Sequence, residues 1–189
     1  LESIIADSKV KLDDMLIGDK NALMVGARVL GYGKSYPIMI TDPDTNAQVE
    51  YEVDLSNLKN KDVDTSVFTG ENKFEFELPY SKRVIGFKLL THKDEREIKE
   101  TQKGLEKVEK LTGVSSILTT RFKQQIISID GSEDKKEINE FVDNSFLAMD
   151  SREFRMYADS ITPDIEMKFD YTSQTGNVHT MDIPLRVEF

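Results

Sequence analysis

The chain has no cysteine and no tryptophan, and only two histidines and five prolines among 189 residues. Without cysteine there can be no disulfide, no thiolate nucleophile and no cysteine-ligated zinc site. A reducing compartment is compatible with that composition. No apolar run reaches the eighteen or so residues of a membrane span. Residues 1–12 interleave Glu2, Asp7, Lys9 and Lys11 with apolar residues, unlike the unbroken hydrophobic stretch of a secretory signal. Basic charge is also scarce, with 25 Lys and Arg against 35 Asp and Glu and a net charge of −10. A dedicated DNA or RNA binder needs a basic face to displace counterions, so nucleic acid is not an expected partner. What remains is 38% hydrophobic and 32% charged. That balance suits a soluble globular protein with a modest core, held apart by its acidity until it meets a protein partner.

Periodicity divides the chain into alternating helices and hairpins. Residues 1–18 are read as an N-terminal arm, lying on a neighbour or forming a short helix. Asp19 then caps a helix in which Leu23, Met24, Ala27 and Leu30 or Gly31 recur at helical spacing, closed by Gly31 and Gly33. A hairpin follows: SYPIMIT, a turn at Asp42-Pro43-Asp44-Thr45-Asn46, and a return arm. In that arm Val49, Tyr51 and Val53 alternate with Glu50 and Glu52, as Ile38 and Ile40 do in the first arm. KFEFELP and VIGFKLL form a second strand pair across 73–90. Thr91 caps a charged helix over 92–111, with Asp94 three positions on. A short helix from Ser115 leads through Leu118 and Phe122 into the β-branched run IISI, which turns at Asp130-Gly131. A helix near 134–148 places Ile138, Phe141, Val142, Ser145, Phe146 and Met149 inward. Asp150 starts a further helix with Glu153 in the capping-box position and Phe154, Tyr157 and Ile161 on one side, ended by Pro163. A last hairpin turns at Thr175-Gly176-Asn177. The expected fold is α+β, antiparallel hairpins packed with four to five helices. The expected division is an arm (1–18), a helix and two-hairpin lobe (19–91), and a helical region with the C-terminal hairpin (92–189).

Several stretches imitate functional motifs and fail on spacing. The acids from Asp42 to Asn46 resemble the start of a calcium loop. However, the sixth position is Ala47 rather than glycine and the twelfth is Val53 rather than glutamate. A hairpin tip is the better reading. Gly33-Lys34-Ser35 resembles the end of a phosphate loop, but position 28 holds Arg28 where GxxxxGK needs glycine, and the helix precedes the glycines. His92 and His179 fall in different modules, and no Ser/His/Asp order or GxSxG elbow is present. The sequence therefore offers no catalytic residue, cofactor site or metal site, and an enzyme is not expected. Contact surfaces are the remaining option. In helix 92–111 the apolar residues Ile98, Leu105, Val108 and Leu111 form a thin stripe on a charged rod. The stripe packs on the body of the protein or projects toward a partner or another copy. The hairpin-tip residues Asp42, Asp44 and Asn46, with the two chain ends, are the other candidates.

The ordered motifs also carry a resemblance. A strand ending Ile129-Asp130-Gly131, an amphipathic helix, Asp150-Ser151-Arg152 opening another, Thr162-Pro163-Asp164-Ile165 and a terminal hairpin resemble the T-even bacteriophage baseplate protein family. Gly18-Asp19, Arg28-Val29 with Gly31-Tyr32-Gly33, Leu78-Pro79, Leu90-Thr91 and Asp94-Glu95 are similar to the same family, so the likeness runs from about Leu16 to Phe189. It implies a structural subunit of the hub region of a contractile-tail baseplate, located in the virion and assembled in the host cytoplasm. Its implied partners are other baseplate or tail proteins, or further copies of itself in a symmetric assembly. A transient assembly chaperone is the alternative it leaves open. Relatives carrying cysteine pairs in their hairpins would have zinc knuckles there. The corresponding stretches here, 36–53 and 169–179, have none, so turn chemistry and apolar pairing must hold these hairpins.

Overall fold

The computed structural model describes residues 10–112 and 116–184, and side chains over that span except 106–112. Five α-helices and seven strands are present among the described residues, confirming an α+β fold. The helices are α1 (Ile17–Tyr32), α2 (His92–Thr112), α3 (Ile117–Gln125), α4 (Lys135–Asn144) and α5 (Ala148–Ile161). The strands are β1 (Ser35–Thr41), β2 (Gln48–Asp54), β3 (Phe74–Glu77), β4 (Val84–Phe87), β5 (Ile126–Ile129), β6 (Lys168–Thr172) and β7 (Val178–Asp182). They form three antiparallel sheets, β1-β2, β3-β4-β5 and β6-β7.

Two hydrophobic clusters, one for each of two compact units, organise these elements. The division is not serial. One unit joins Gly18–Asp62 to the chain from Pro163 onward, and the other takes Lys11–Ile17 and Val63–Thr162. The expected lobes broke the chain at 91 because helical charge begins there. The apolar faces of the first and last hairpins instead share one core, which brings distant segments together.

In the first unit that core is Val25, Tyr36, Ile38, Ile40, Val53, Leu55, Tyr171 and Ile183. The expected alternation holds, with Ile38, Ile40 and Val53 buried while the glutamates of β2 face out. In α1 the inward positions are Val25 and Val29, whereas Leu30 is 87% exposed, so the expected helical face is rotated. Gly33 (φ 84°) closes α1, donating its N–H to the Val29 carbonyl at 2.9 Å, the left-handed helix ending that glycine favours. Gly18 is required for a different reason, because a Cβ there would run into the Pro163 carbonyl.

The second unit packs aromatic rings between the three-stranded sheet and three helices. Phe87 and Phe154 are fully buried and meet edge to face at 5.0 Å, and Phe76 stacks on Tyr157 at 4.7 Å. Asp130 (φ 49°) and Gly131 (φ 85°) make the turn after β5, both at positive φ. The Asp130 carboxylate accepts from the Val84 N–H (2.9 Å) and Arg83 Nε (2.8 Å), tying that turn to β4.

Two helix boundaries differ from expectation. Helix α4 ends at Asn144, so Met149 belongs to α5 and is 47% exposed rather than inward. Helix α5 begins at Ala148 with Leu147 as an N-cap lacking a side-chain bond, and Asp150 lies inside its first turn. The fully buried Asp150 carboxylate accepts from the Tyr80 N–H at 2.9 Å and the Ser81 N–H at 3.0 Å. A carboxylate at a helix N-terminus is favoured by the helix dipole, and here it also satisfies the two amides of the β3–β4 turn.

Phe154→Ala should cost about 3–5 kcal/mol, measured by denaturant unfolding of the second unit, because it removes a ring held on several sides by other aromatics. A loss below about 1 kcal/mol would contradict this packing.

Candidate functional site

The acidic tip of the first hairpin folds onto the last hairpin. Within the β1–β2 loop, Asp42 donates its N–H to the Ala47 carbonyl (2.8 Å) and accepts the Asn46 N–H at its own carbonyl (2.9 Å). Asn46 sits at φ 57°, a conformation asparagine tolerates better than most residues. Asp42 Oδ1 accepts from the N–H groups of Asp44 (2.8 Å) and Thr45 (3.1 Å), an Asx turn that sets the local shape. Its Oδ2 reaches the other hairpin, accepting from the Tyr171 hydroxyl at 2.8 Å and the Gln174 N–H at 3.2 Å.

Asp44 completes the tie. Its Oδ2 accepts from Ser173 Oγ (2.5 Å), from Asn177 Nδ2 (3.0 Å) and from the Thr175 hydroxyl, and Oδ1 lies 3.0 Å from His179 Nε2. The two carboxylates thus gather donors from Tyr171, Ser173, Gln174, Thr175, Asn177 and His179, more than 125 residues along the chain. The resulting environment explains their acidity. Burial pushes Asp42 up, but the Tyr171 hydroxyl and the three backbone N–H groups outweigh it and hold its carboxyl down at about 2. The side-chain donors of Ser173, Thr175 and Asn177 hold Asp44 well below the usual carboxylate range. Burial and the bonded Asp42 raise Tyr171, so its proton stays in place.

Asp42, fully buried, is therefore an internal residue, whereas Asn46 is exposed and the carboxylate of Asp44 is 19% accessible. The five donor side chains on the last hairpin escaped sequence reading. Alternation of Tyr171, Ser173, Thr175, Asn177 and His179 is a visible signal, but it acquires meaning only opposite two acids that local patterns cannot pair with it.

The α2 stripe divides along its length. Thr91 and Asp94 form the expected reciprocal cap, the Thr91 N–H donating to Asp94 Oδ2 (3.0 Å) and the Asp94 N–H to Thr91 Oγ1 (3.3 Å). Asp94 is 3% exposed and also accepts from Lys88 Nζ (2.6 Å) and Gln124 Nε2 (2.9 Å). Arg96 forks onto Asp13 at 2.9 and 3.0 Å. Ile98 is 4% exposed, so the first stripe residue packs within its own unit, and Leu105 is half-buried. The side chains of Val108 and Leu111 lie outside the described residues.

Among the described residues no group of three or more His, Asp or Glu is arranged to hold a metal ion. No described helix is long and apolar enough to cross a membrane. These features define a small α+β protein whose polar chemistry joins its own segments. The chain belongs to the T4 bacteriophage base plate protein family, whose family model matches residues 1–188. No curated protein and no solved structure gave a significant match. Membership makes a structural role in the phage baseplate the ground for any functional reading.

The two depressed carboxylates give a pH test. A carboxylate more acidic in the folded than in the unfolded chain contributes stability fully present above the unfolded pKa of about 3.9, and lost as pH falls toward the folded value. Unfolding followed by circular dichroism should therefore show stability of the first unit declining between about pH 4 and pH 2. Asp42→Asn should be destabilised at neutral pH, because its amide turns a donor toward donors, and should show a flatter acid limb. Equal slopes in variant and parent would contradict the assignment.

Proposed function

We propose that the protein is a structural subunit in the hub region of a contractile phage-tail baseplate, acting through protein–protein contacts and not through catalysis. The observation that carries this reading is the family match across residues 1–188, essentially the whole chain. Its partners are other baseplate or tail proteins, and its place is the virion tail, after assembly in the host cytoplasm. The net charge of −10 supports the same reading, since like charge limits premature self-association and complementary charge steers encounter with a basic neighbour.

Each unit offers a contact surface of its own: Asn46 and the outer part of Asp44 at the hairpin tip of the first, and Leu105, Val108 and Leu111 on α2 of the second. Asp42 and Ile98 support these elements from within.

Mass spectrometry of purified virions and of gradient-isolated baseplates tests the role. Peptides from this chain at a fixed stoichiometry with other tail proteins are expected in both. Their presence in assembly intermediates but absence from finished virions would identify a chaperone and contradict the structural reading.

A further inference from the structure

The first unit contains a groove of about 410 Å³ whose lining includes residues 51–54 of β2 and 168–170 of β6 without a gap. A strand shows alternate residues to each face, so consecutive lining residues mean that the groove runs along strand edges. Backbone phase confirms this. In the first hairpin, bonds from the Asp42 N–H to Ala47 and from the Leu55 N–H to Lys34 mark two hydrogen-bonded pairs, eight residues apart on each strand of an unbroken register. Alternation then makes Glu52 and Asp54 non-bonded positions, whose N–H and C=O groups point away from β1. The same argument from Ser173/Asn177 and Ile183/Met167 turns the backbone of Lys168 and Asp170 away from β7. Consistently, the Asp170 carbonyl meets the Tyr51 hydroxyl at 3.4 Å on that outer side.

The two edges are close but not laddered. Beyond them the chain does pair, through the Asn60–Ile165 bridge, the Lys61 N–H to the Asp164 carbonyl (2.8 Å) and the Glu166 N–H to the Lys59 carbonyl (2.8 Å). The short 3-10 turn at Leu55–Asn57 interrupts this pairing before it reaches β2. Among the described residues, no backbone group takes up the outward N–H groups of Glu52 and Asp54. An unpaired edge of this kind is a template for another strand. The outer edge of β1 is different, because Pro37 lies directly opposite Glu52 and supplies no N–H there. Charge selects the occupant: with Asp54 already paired to Lys34 at 2.8 Å, Glu52, Glu166 and Asp170 still outnumber Lys59 and Lys168 around the groove.

We propose that this groove receives an extended, basic segment of a partner protein, which adds as a strand to the free edge of β2. The segment would alternate apolar residues, facing the Tyr51–Phe169 stack (5.1 Å), with lysine or arginine facing the glutamate side. A second copy of this chain is disfavoured as donor by its charge of −10. The donor's identity as a tail protein rests on the proposed function, but the binding chemistry does not, so virion composition and peptide binding can fail separately.

The probe is a capped nine-residue peptide alternating lysine with valine and threonine, titrated into the full chain and followed by amide hydrogen exchange. Exchange should slow at Glu52 and Asp54 and stay unchanged at Tyr51 and Val53, which already face β1. Glu52→Pro mimics Pro37 across the ladder and removes the outward donor together with the carboxylate that accepts from Ser35 Oγ. It should weaken binding by about tenfold or more, while Glu52→Ala loses the same carboxylate but keeps the N–H and retains most affinity. A proline at the centre of the peptide should have a similar effect. No binding at millimolar peptide would overturn the proposal, as would affinity indifferent to proline in either partner, or protection centred elsewhere. Self-association of the chain protecting the same amides would overturn the choice of occupant. If Glu52→Pro fails to fold, the exchange pattern of the unmodified protein and the proline-bearing peptide still decide the matter.

Discussion

A buried carboxylate at position 42 is the constraint on which the first unit depends. Asp42 has no accessible surface, and an ionised group in that position is tolerable only if its oxygens are fully occupied. Four donors occupy them, two from its own turn and two from Tyr171 and Gln174. The same atoms that shape the first hairpin tip therefore specify where the last hairpin lies. Apolar contacts among Ile38, Ile40, Val53, Tyr171 and Ile183 supply the bulk of burial, but they are less selective about register than a carboxylate with fixed donors.

The second unit uses the same device twice. Asp150 accepts the amides of the β3–β4 turn from within α5, and Asp94 gathers Lys88, Thr91 and Gln124 around the start of α2. Burial works against both ionised carboxyls, yet their donors hold each below the usual carboxylate range. In a chain with neither cysteine nor tryptophan, buried aspartates join elements distant in sequence. The exposed acids then set net charge and solubility. Acidity thus acts in two places with two consequences, internal registration and external repulsion.

Much of the fold was legible because the signals were local. Alternation in Val49, Tyr51 and Val53 located β2, the Thr91/Asp94 cap located the start of α2, and Asp130-Gly131 located the turn after β5. The errors fell where a local rule met a distant partner. Asp150 had the residue type of an N-cap, but its carboxylate serves Tyr80 and Ser81, so α5 begins earlier. Leu30 matched the helical period of α1, yet the position of the paired hairpins makes Val25 and Val29 the inward residues. The division into units was hidden for the same reason, because the first and last hairpins share a core only once distant segments meet. The acids at the hairpin tip were recognised as turn residues, but their donors could not be found by reading along the chain.

A double-mutant cycle between Asp42→Asn and Tyr171→Phe tests this account most directly, with stability of the first unit measured by denaturant unfolding at neutral pH. The account predicts strong coupling: removing the Tyr171 hydroxyl should destabilise the parent clearly and the Asp42→Asn protein far less. Additive effects of the two substitutions would contradict it, because they would mean that the hairpins are held together without the carboxylate tie.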